Sequence, residues 1–254
     1  MADEILRNRI GHVEVLTINR PDARNAINLA TAQALGGALD ELEEDKDCWV
    51  VVLTGAGDKA FSAGMDLKAF ATGEFPITDK GFGGITKRDF PKPLICAANG
   101  SALAGGFEIM LSCDLVVAAD HAKFGIPEAA RGLVAGAGGL IRLPKRVPMA
   151  IALELALTAE PIDAEKALSI GLINRVVAAD KLMDEALALA NAIAKNAPGA
   201  VRVSKRVMKQ AAELSEDESW AINDAAFQEI GASPDAMEGA IAFAEKREPN
   251  WQSI

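Results

Sequence analysis

Glu108 stands three residues after Gly105 in the stretch GSALAGGFEIMLSCD, Gly100 to Asp114. Residues three apart share a helix face, so a helix beginning near Leu103 to Gly105 projects the Glu108 carboxylate on the same side as the Gly105 backbone. The first N–H groups of such a helix have no intrahelical partner and carry the positive end of its dipole. Glycine there leaves room for a ligand beside the backbone, because no Cβ intervenes. An anion-stabilising donor then faces the same spot as a proton-transfer group, a pairing suited to reactions that pass through an oxyanion. The same residues also fit a plainer arrangement, a helix packed closely through Gly105 and Gly106 with Glu108 solvated.

Two other segments carry groups of this kind. In KAFSAGMDLKAF, Lys59 to Phe70, a small-small-Gly run lets a backbone N–H, for instance that of Ala63, meet a ligand oxygen; a tight structural turn explains it equally. In FGIPEAARGLVAGAGG, Phe124 to Gly139, Pro127-Glu128 looks like a helix start, where Glu128 is either chemically active or a simple partner of the helix dipole.

These segments need a scaffold, and the chain supplies an alternating one. Ile5 to Arg9 and Val13 to Asn19 read as a hairpin turning at Gly11-His12. Asn28 caps a helix running to about Glu44. Trp49 to Thr54, Leu94 to Ala98 and Leu115 to Ala119 are short apolar runs of the buried-strand type. From about Met149 the pattern is helical: after Pro148, over Leu182 to Asn196, from Pro198 through Glu213, over Ser219 to Ile230 and over Pro234 to Arg247. Thr72 to Asp89, rich in glycine, reads as a mobile loop. The rhythm implies an α/β protein of stacked β-β-α units with sheets inside and helices outside.

Composition narrows the class. Half of the 254 residues are apolar, which predicts a packed core. The formal charge of −10, from 26 basic and 36 acidic residues, argues against broad nucleic-acid binding. Cys48, Cys96 and Cys113 are odd in number and lie in apolar surroundings, as reduced thiols of a cytoplasmic protein do. No signal peptide or membrane span is visible. The two histidines, His12 and His121, sit in expected turns, and G-x-S-x-G is absent, against a serine hydrolase. No His/Cys/Asp cluster has metal-ligand spacing, and Gly55-Ala56-Gly57 lacks the third glycine of a dinucleotide fingerprint.

Taken together, TINRPDARNAI, FSAGMDL, NGSALAGGFEIMLSCDLVVA, FGIPEAARGL, LTAEPIDAEKALSIGLINRVV and EGAIAFAEKREPNW resemble the enoyl-CoA hydratase/isomerase family, the crotonases, over nearly the whole chain. The resemblance implies a crotonase-like spiral of repeated β-β-α turns over residues 1–195. It also implies a C-terminal helical region, 196–254, that builds homotrimers, commonly paired into hexamers. The implied substrate is an acyl thioester of coenzyme A, with no separate cofactor and no metal. By the same resemblance, the N–H groups of Ala63 and Gly105 form the oxyanion hole, and Glu108 and Glu128 are the acid/base pair. Around CoA it places Arg24, Ala26, Ser62, Ala63, Gly64, Met65, Asp66, Leu67, Gly105 and Gly106, with Phe227 and Lys246 reaching the nucleotide end, often from a neighbouring subunit.

Two glutamates favour addition or elimination of water; isomerase-like members work with one carboxylate, and a non-catalytic acyl-CoA-binding member needs neither. Ala104, Met65 and Ala135 depart from the commonest family pattern. Arg131 lies one turn beyond Glu128, either facing a polar acyl group or pointing to solvent. The loop GEFPITDKGFGGIT also resembles the carnitinyl-CoA dehydratase branch, whose acyl group is polar and cationic.

Overall fold

The computed structural model describes residues 3–252. Strands β1 (Ile5–Ile10) and β2 (Val13–Ile18) form the expected hairpin, with Ile10 opposite Val13 and Gly11 at φ 57° in the turn. Helix α1 (Leu29–Glu44) follows, its first turn capped by the Asn28 side chain accepting from the Thr31 N–H. Three turns of a spiral come next. The first is β3 (Val50–Gly55), β4 (Ala60–Ser62) and α2 (Leu67–Ala71), followed by a short hairpin of β5 (Ile77–Thr78) and β6 (Gly81–Phe82). The second is β7 (Leu94–Ala98), β8 (Ser101–Leu103) and α3 (Gly105–Ser112). The third is β9 (Leu115–Ala119), β10 (Lys123–Gly125) and a 3₁₀ turn over Pro127–Arg131.

Beyond them lie α4 (Gly139–Arg146), α5 (Met149–Thr158), β11 (Ile162–Asp163), α6 (Ala164–Ser169) and β12 (Arg175–Val177). Four helices end the described chain: α7 (Leu182–Ala194), α8 (Pro198–Ala211), α9 (Glu216–Gly231) and α10 (Pro234–Glu245).

Each spiral turn gives one strand to each of two sheets. The larger sheet has the order β1-β2-β3-β7-β9-β12 and the smaller β11-β10-β8-β4, with the spiral strands parallel within each. Alternation of side chains across the pleat splits the apolar strands between two cores. Leu16, Leu53, Cys96 and Val116 face the interior with α1 and α3, whereas Val15, Val52, Ile95 and Val117 face α7 through Leu182, Ala186 and Ala190. Both faces are covered, which explains why these strands read as continuous apolar runs.

The stretch from Thr72 to Asp89 is not uniformly loose. Residues 81–86 are buried, and a Cβ on Gly84 would lie 2.5 Å from the Ala32 carbonyl oxygen and 2.7 Å from Cα of Gly36 on α1. The glycines in this half allow close packing, not the mobility expected from composition.

The tightest approach in the second turn is at Gly106, where a Cβ would come 2.1 Å from the Ser62 carbonyl oxygen. Gly106→Ala should therefore lower stability by about 3 kcal/mol, a fall in Tm of roughly 5–10 °C for a chain of this size. Gly37→Ala, on the exposed side of α1 with nothing within 4 Å of the added Cβ, should instead leave Tm unchanged or raise it. Thermal denaturation of the pair checks the packing.

Candidate active site

Helix α3 starts abruptly after β8. Ala104 holds φ 52° and ψ −130°, a backbone setting that strongly favours glycine, and Gly105 is the first helical residue. Among the described residues no protein acceptor pairs with the Gly105 N–H, as expected of a first-turn donor. Gly64, at φ 89°, abuts it: a Cβ there would lie 2.9 Å from the Gly105 nitrogen. Both roles considered for the glycine pair are thus present. Gly106 packs on Ser62, while Gly105 presents a free donor.

The second donor is not the one expected. The Ala63 N–H donates to the Arg24 carbonyl oxygen at 3.0 Å, so it is spent inside the protein. Arg24 and Asn25 adopt left-handed φ of 52° and 54°, held there by the buried Asn25 amide, which donates to Ala60 O at 2.7 Å and accepts from the Arg20 N–H at 3.0 Å. Two residues on, Ile27 donates to Gly64 O at 2.8 Å and accepts from the Asp66 N–H at 2.9 Å. In a parallel bridge of this kind, the residue between the bonded pair turns its own N–H to the opposite edge. That residue is Met65. Its N–H has no protein acceptor among the described residues and lies on the edge towards β8 and Gly105.

Glu108 is 3% exposed, which rules out the solvated arrangement. Its Oε1 accepts from the Ala137 N–H at 2.7 Å and the Gly139 N–H at 2.9 Å. Gly138 and Gly139 open α4, so the carboxylate caps that helix from outside. Burial pushes the Glu108 carboxyl above its usual range, while the two amides and the Arg142 guanidinium pull the other way. Arg142 also binds the loop itself, donating from Nη1 to Ala137 O at 3.3 Å and from Nη2 to Thr86 O.

Glu128 follows Pro127 in the 3₁₀ turn, and its Oε2 is buried without a partner. Burial raises its pKa and the neighbouring Glu108 raises it further, with Arg131 opposing.

Met65, Leu67, Gly105, Glu108, Glu128 and Arg131 line one cavity of about 560 Å³, walled by Phe70, Phe75, Phe82, Leu133 and Val134. A second cavity of about 650 Å³ shares Arg24, Ala63 and Leu103 with it and adds Lys59 and His121. Other expected contacts lie elsewhere. Ala26 is buried, with its carbonyl bonded to Arg20, and Ser62 is buried beneath Gly106 with its hydroxyl accepting from the Gly64 N–H at 3.2 Å. Asp66 caps α2 and pairs with Arg20 at 2.9 Å. Phe227, on α9, and Lys246, ending α10, line neither cavity; the exposed aromatic beside Lys246 is Phe243. Arg131 is exposed and still borders the main cavity.

A family model described as "Enoyl-CoA hydratase/isomerase" matches residues 9–253. The chain belongs to this family. Carnitinyl-CoA dehydratase of Salmonella arizonae is 42% identical over 260 residues, covering 99% of each chain. A probable enoyl-CoA hydratase/isomerase from Mycobacterium abscessus superposes with a TM-score of 0.95 at 51% identity over all of both chains. Enoyl-CoA hydratase from Mycobacterium tuberculosis gives 0.96 at 47%, covering 99% of this chain and 100% of its own. The two-sheet spiral is the crotonase fold, and the chain is an enzyme of the crotonase family.

Both glutamates are held in the native state with raised pKa, so the folded crotonase binds more protons than the unfolded chain between the usual carboxylate pKa and the raised ones. Stability is therefore lost as pH rises through that window. Glu128→Gln, which removes one such group, should be more stable than the wild type at pH 8 and should show a shallower fall between pH 5 and pH 8. Urea denaturation at the two pH values measures this.

Proposed function

We propose that the protein adds water reversibly across the 2,3 double bond of a trans-2-enoyl-CoA to give a 3-hydroxyacyl-CoA. The observation that carries this reading is the convergence of two unpartnered backbone N–H groups, on Met65 and Gly105, with two buried carboxyls on one cavity. The thioester oxygen sits between the two N–H groups. As it gains charge, Cβ becomes electrophilic and an enolate forms at Cα–C1; fixed donors in a dry site stabilise that charge strongly.

The glutamates divide the proton work. Glu108, with two amides and Arg142 favouring its ionised form, takes a proton from water as the oxygen bonds to Cβ. Glu128, with an unpartnered oxygen and a like-charged neighbour, keeps its proton and delivers it to Cα. The pair titrates as one coupled unit, and the same steps reversed eliminate water.

CoA leaves the main cavity past Ala63 and Leu103 towards Arg24 and Lys59, whose cations suit phosphate, with His121 on the same wall. The chemistry asks for no cofactor beyond the CoA of the substrate, and neither nucleic acid nor membrane enters it. Lys246 with Phe243 reaches a nucleotide only in another copy, consistent with a trimer or a dimer of trimers. Exposed Met149, Leu153 and Leu157 on α5 and Met208 on α8 support such an assembly. A second reading, a carnitinyl-CoA dehydratase, draws on the 42%-identical relatives of that name and uses the same water chemistry on a different acyl group.

With crotonyl-CoA the purified protein should bleach the conjugated-thioester absorbance. Glu108→Gln and Glu128→Gln should each lower kcat by about 10²–10⁴ while leaving CoA thioester binding in place. No turnover of any enoyl-CoA, or full activity in either variant, would sink the proposal.

A further inference from the structure

The three cavities around the site give it a direction. The main cavity shares Arg24, Ala63 and Leu103 with the larger one, and shares Glu128, Leu133 and Val134 with an apolar one of about 380 Å³. If CoA lies at the Arg24 end, the acyl group points past Glu128 to the Leu133 end. Arg131 sits between those two residues in the chain and lines the main cavity.

Arg131 makes no ion pair among the described residues, though its charge acts on Glu128. Its one hydrogen bond is from Nη1 to Pro127 O at 3.4 Å, and among the described residues no carboxylate pairs with it. Lys87, also lining the cavity, is likewise without an ion-pair partner among them. Among the described residues the acids on the cavity wall are Glu108 and Glu128, two carboxyls against the three cations Arg24, Lys87 and Arg131. The main cavity therefore carries a surplus of positive charge, with Arg131 on the side of Glu128 and Leu133.

We infer that Arg131 determines acyl specificity, drawing acyl groups with a terminal carboxylate into the site and rejecting those ending in a quaternary ammonium. The inference rests on the acyl-CoA reading above for the direction in which the acyl group lies. The opposing feature is the pair Phe70 and Phe75 on the same wall, edge to face with centroids 5.2 Å apart, since aromatic faces attract cations. Both rings are substantially exposed, 39% and 54%, where that attraction is weak, whereas an unpaired like charge acts over a longer range.

Three saturated thioesters that cannot react test this by calorimetry: glutaryl-CoA, butyryl-CoA and 4-trimethylammoniobutyryl-CoA. The full-length wild type should bind glutaryl-CoA at least tenfold more tightly than the trimethylammonium thioester. Arg131→Leu should bring that ratio close to one, and Arg131→Glu should reverse it. Taking each ratio within one variant cancels any general change in affinity, and the exposed position spares the fold. A wild-type preference for the trimethylammonium group, or a ratio unmoved by Arg131→Glu, overturns the inference. Because none of the three ligands turns over, the result is independent of hydration. Charge selection without crotonyl-CoA turnover removes only the proposed function, normal turnover with a flat ratio removes only this inference, and no binding of any thioester removes both.

Discussion

A carboxylate buried at the start of a helix holds this site together. Glu108, on α3, accepts from the Ala137 and Gly139 N–H groups at 2.7 and 2.9 Å; Gly139 begins α4 and Ala137 lies just before its cap residue, Gly138. Removing a carboxylate from water is costly, and charge-assisted bonds from a helix N-terminus are among the few arrangements that offset it. Once made, the contact fixes more than one side chain. It ties the second spiral turn to the helices after the third, and it closes the loop between Glu128 and α4. Arg142 locks that loop to Thr86, so the wall containing Phe82 is set by the same network.

A second constraint is steric. β4 and β8 are parallel neighbours, and Gly64 and Gly106 let the chain after β4 approach the start of α3 more closely than side chains permit. The consequence is that two N–H groups from distant parts of the sequence, Met65 and Gly105, come to one edge. Neither donor depends on a functional side chain. The carboxyl pair, Glu108 and Glu128, depends on side chains entirely, so substitutions affect the two halves of the site through different physics.

This division decides what could be read from the sequence. The strands covered on both faces and the long amphipathic helices were legible, because Val50–Gly55 and Leu94–Ala98 contain apolar runs long enough to mark a buried strand and Leu182–Ala194 is long enough to display a helical period. The strands of the smaller sheet that take part in the spiral have three residues each, too few for alternation to register. Helix α4 escaped notice because Pro144 interrupts its pattern and it begins among glycines. The carboxylates were visible by residue type. The donor at Met65 was not, since a backbone N–H has no residue type; only the alternation of bonds to Ile27 reveals which amide in FSAGM is free. Ala63 was the wrong neighbour for that reason.

The relatives bear two kinds of name, enoyl-CoA hydratase and carnitinyl-CoA dehydratase, at similar levels of identity. The site explains how both can be close. On the proposed reading, the glutamates and the two amides act on the thioester carbonyl and the two carbons beyond it, which every enoyl-CoA shares. On the same reading, what distinguishes one acyl group from another lies farther out, on the wall formed by Phe70, Phe75, Arg131, Leu133 and Val134. That wall comes from loops and the end of a short 3₁₀ turn, so it can change without disturbing the bond between Glu108 and α4. On the proposed reading, one charge there, that of Arg131, changes the potential an acyl terminus meets while leaving the water chemistry intact.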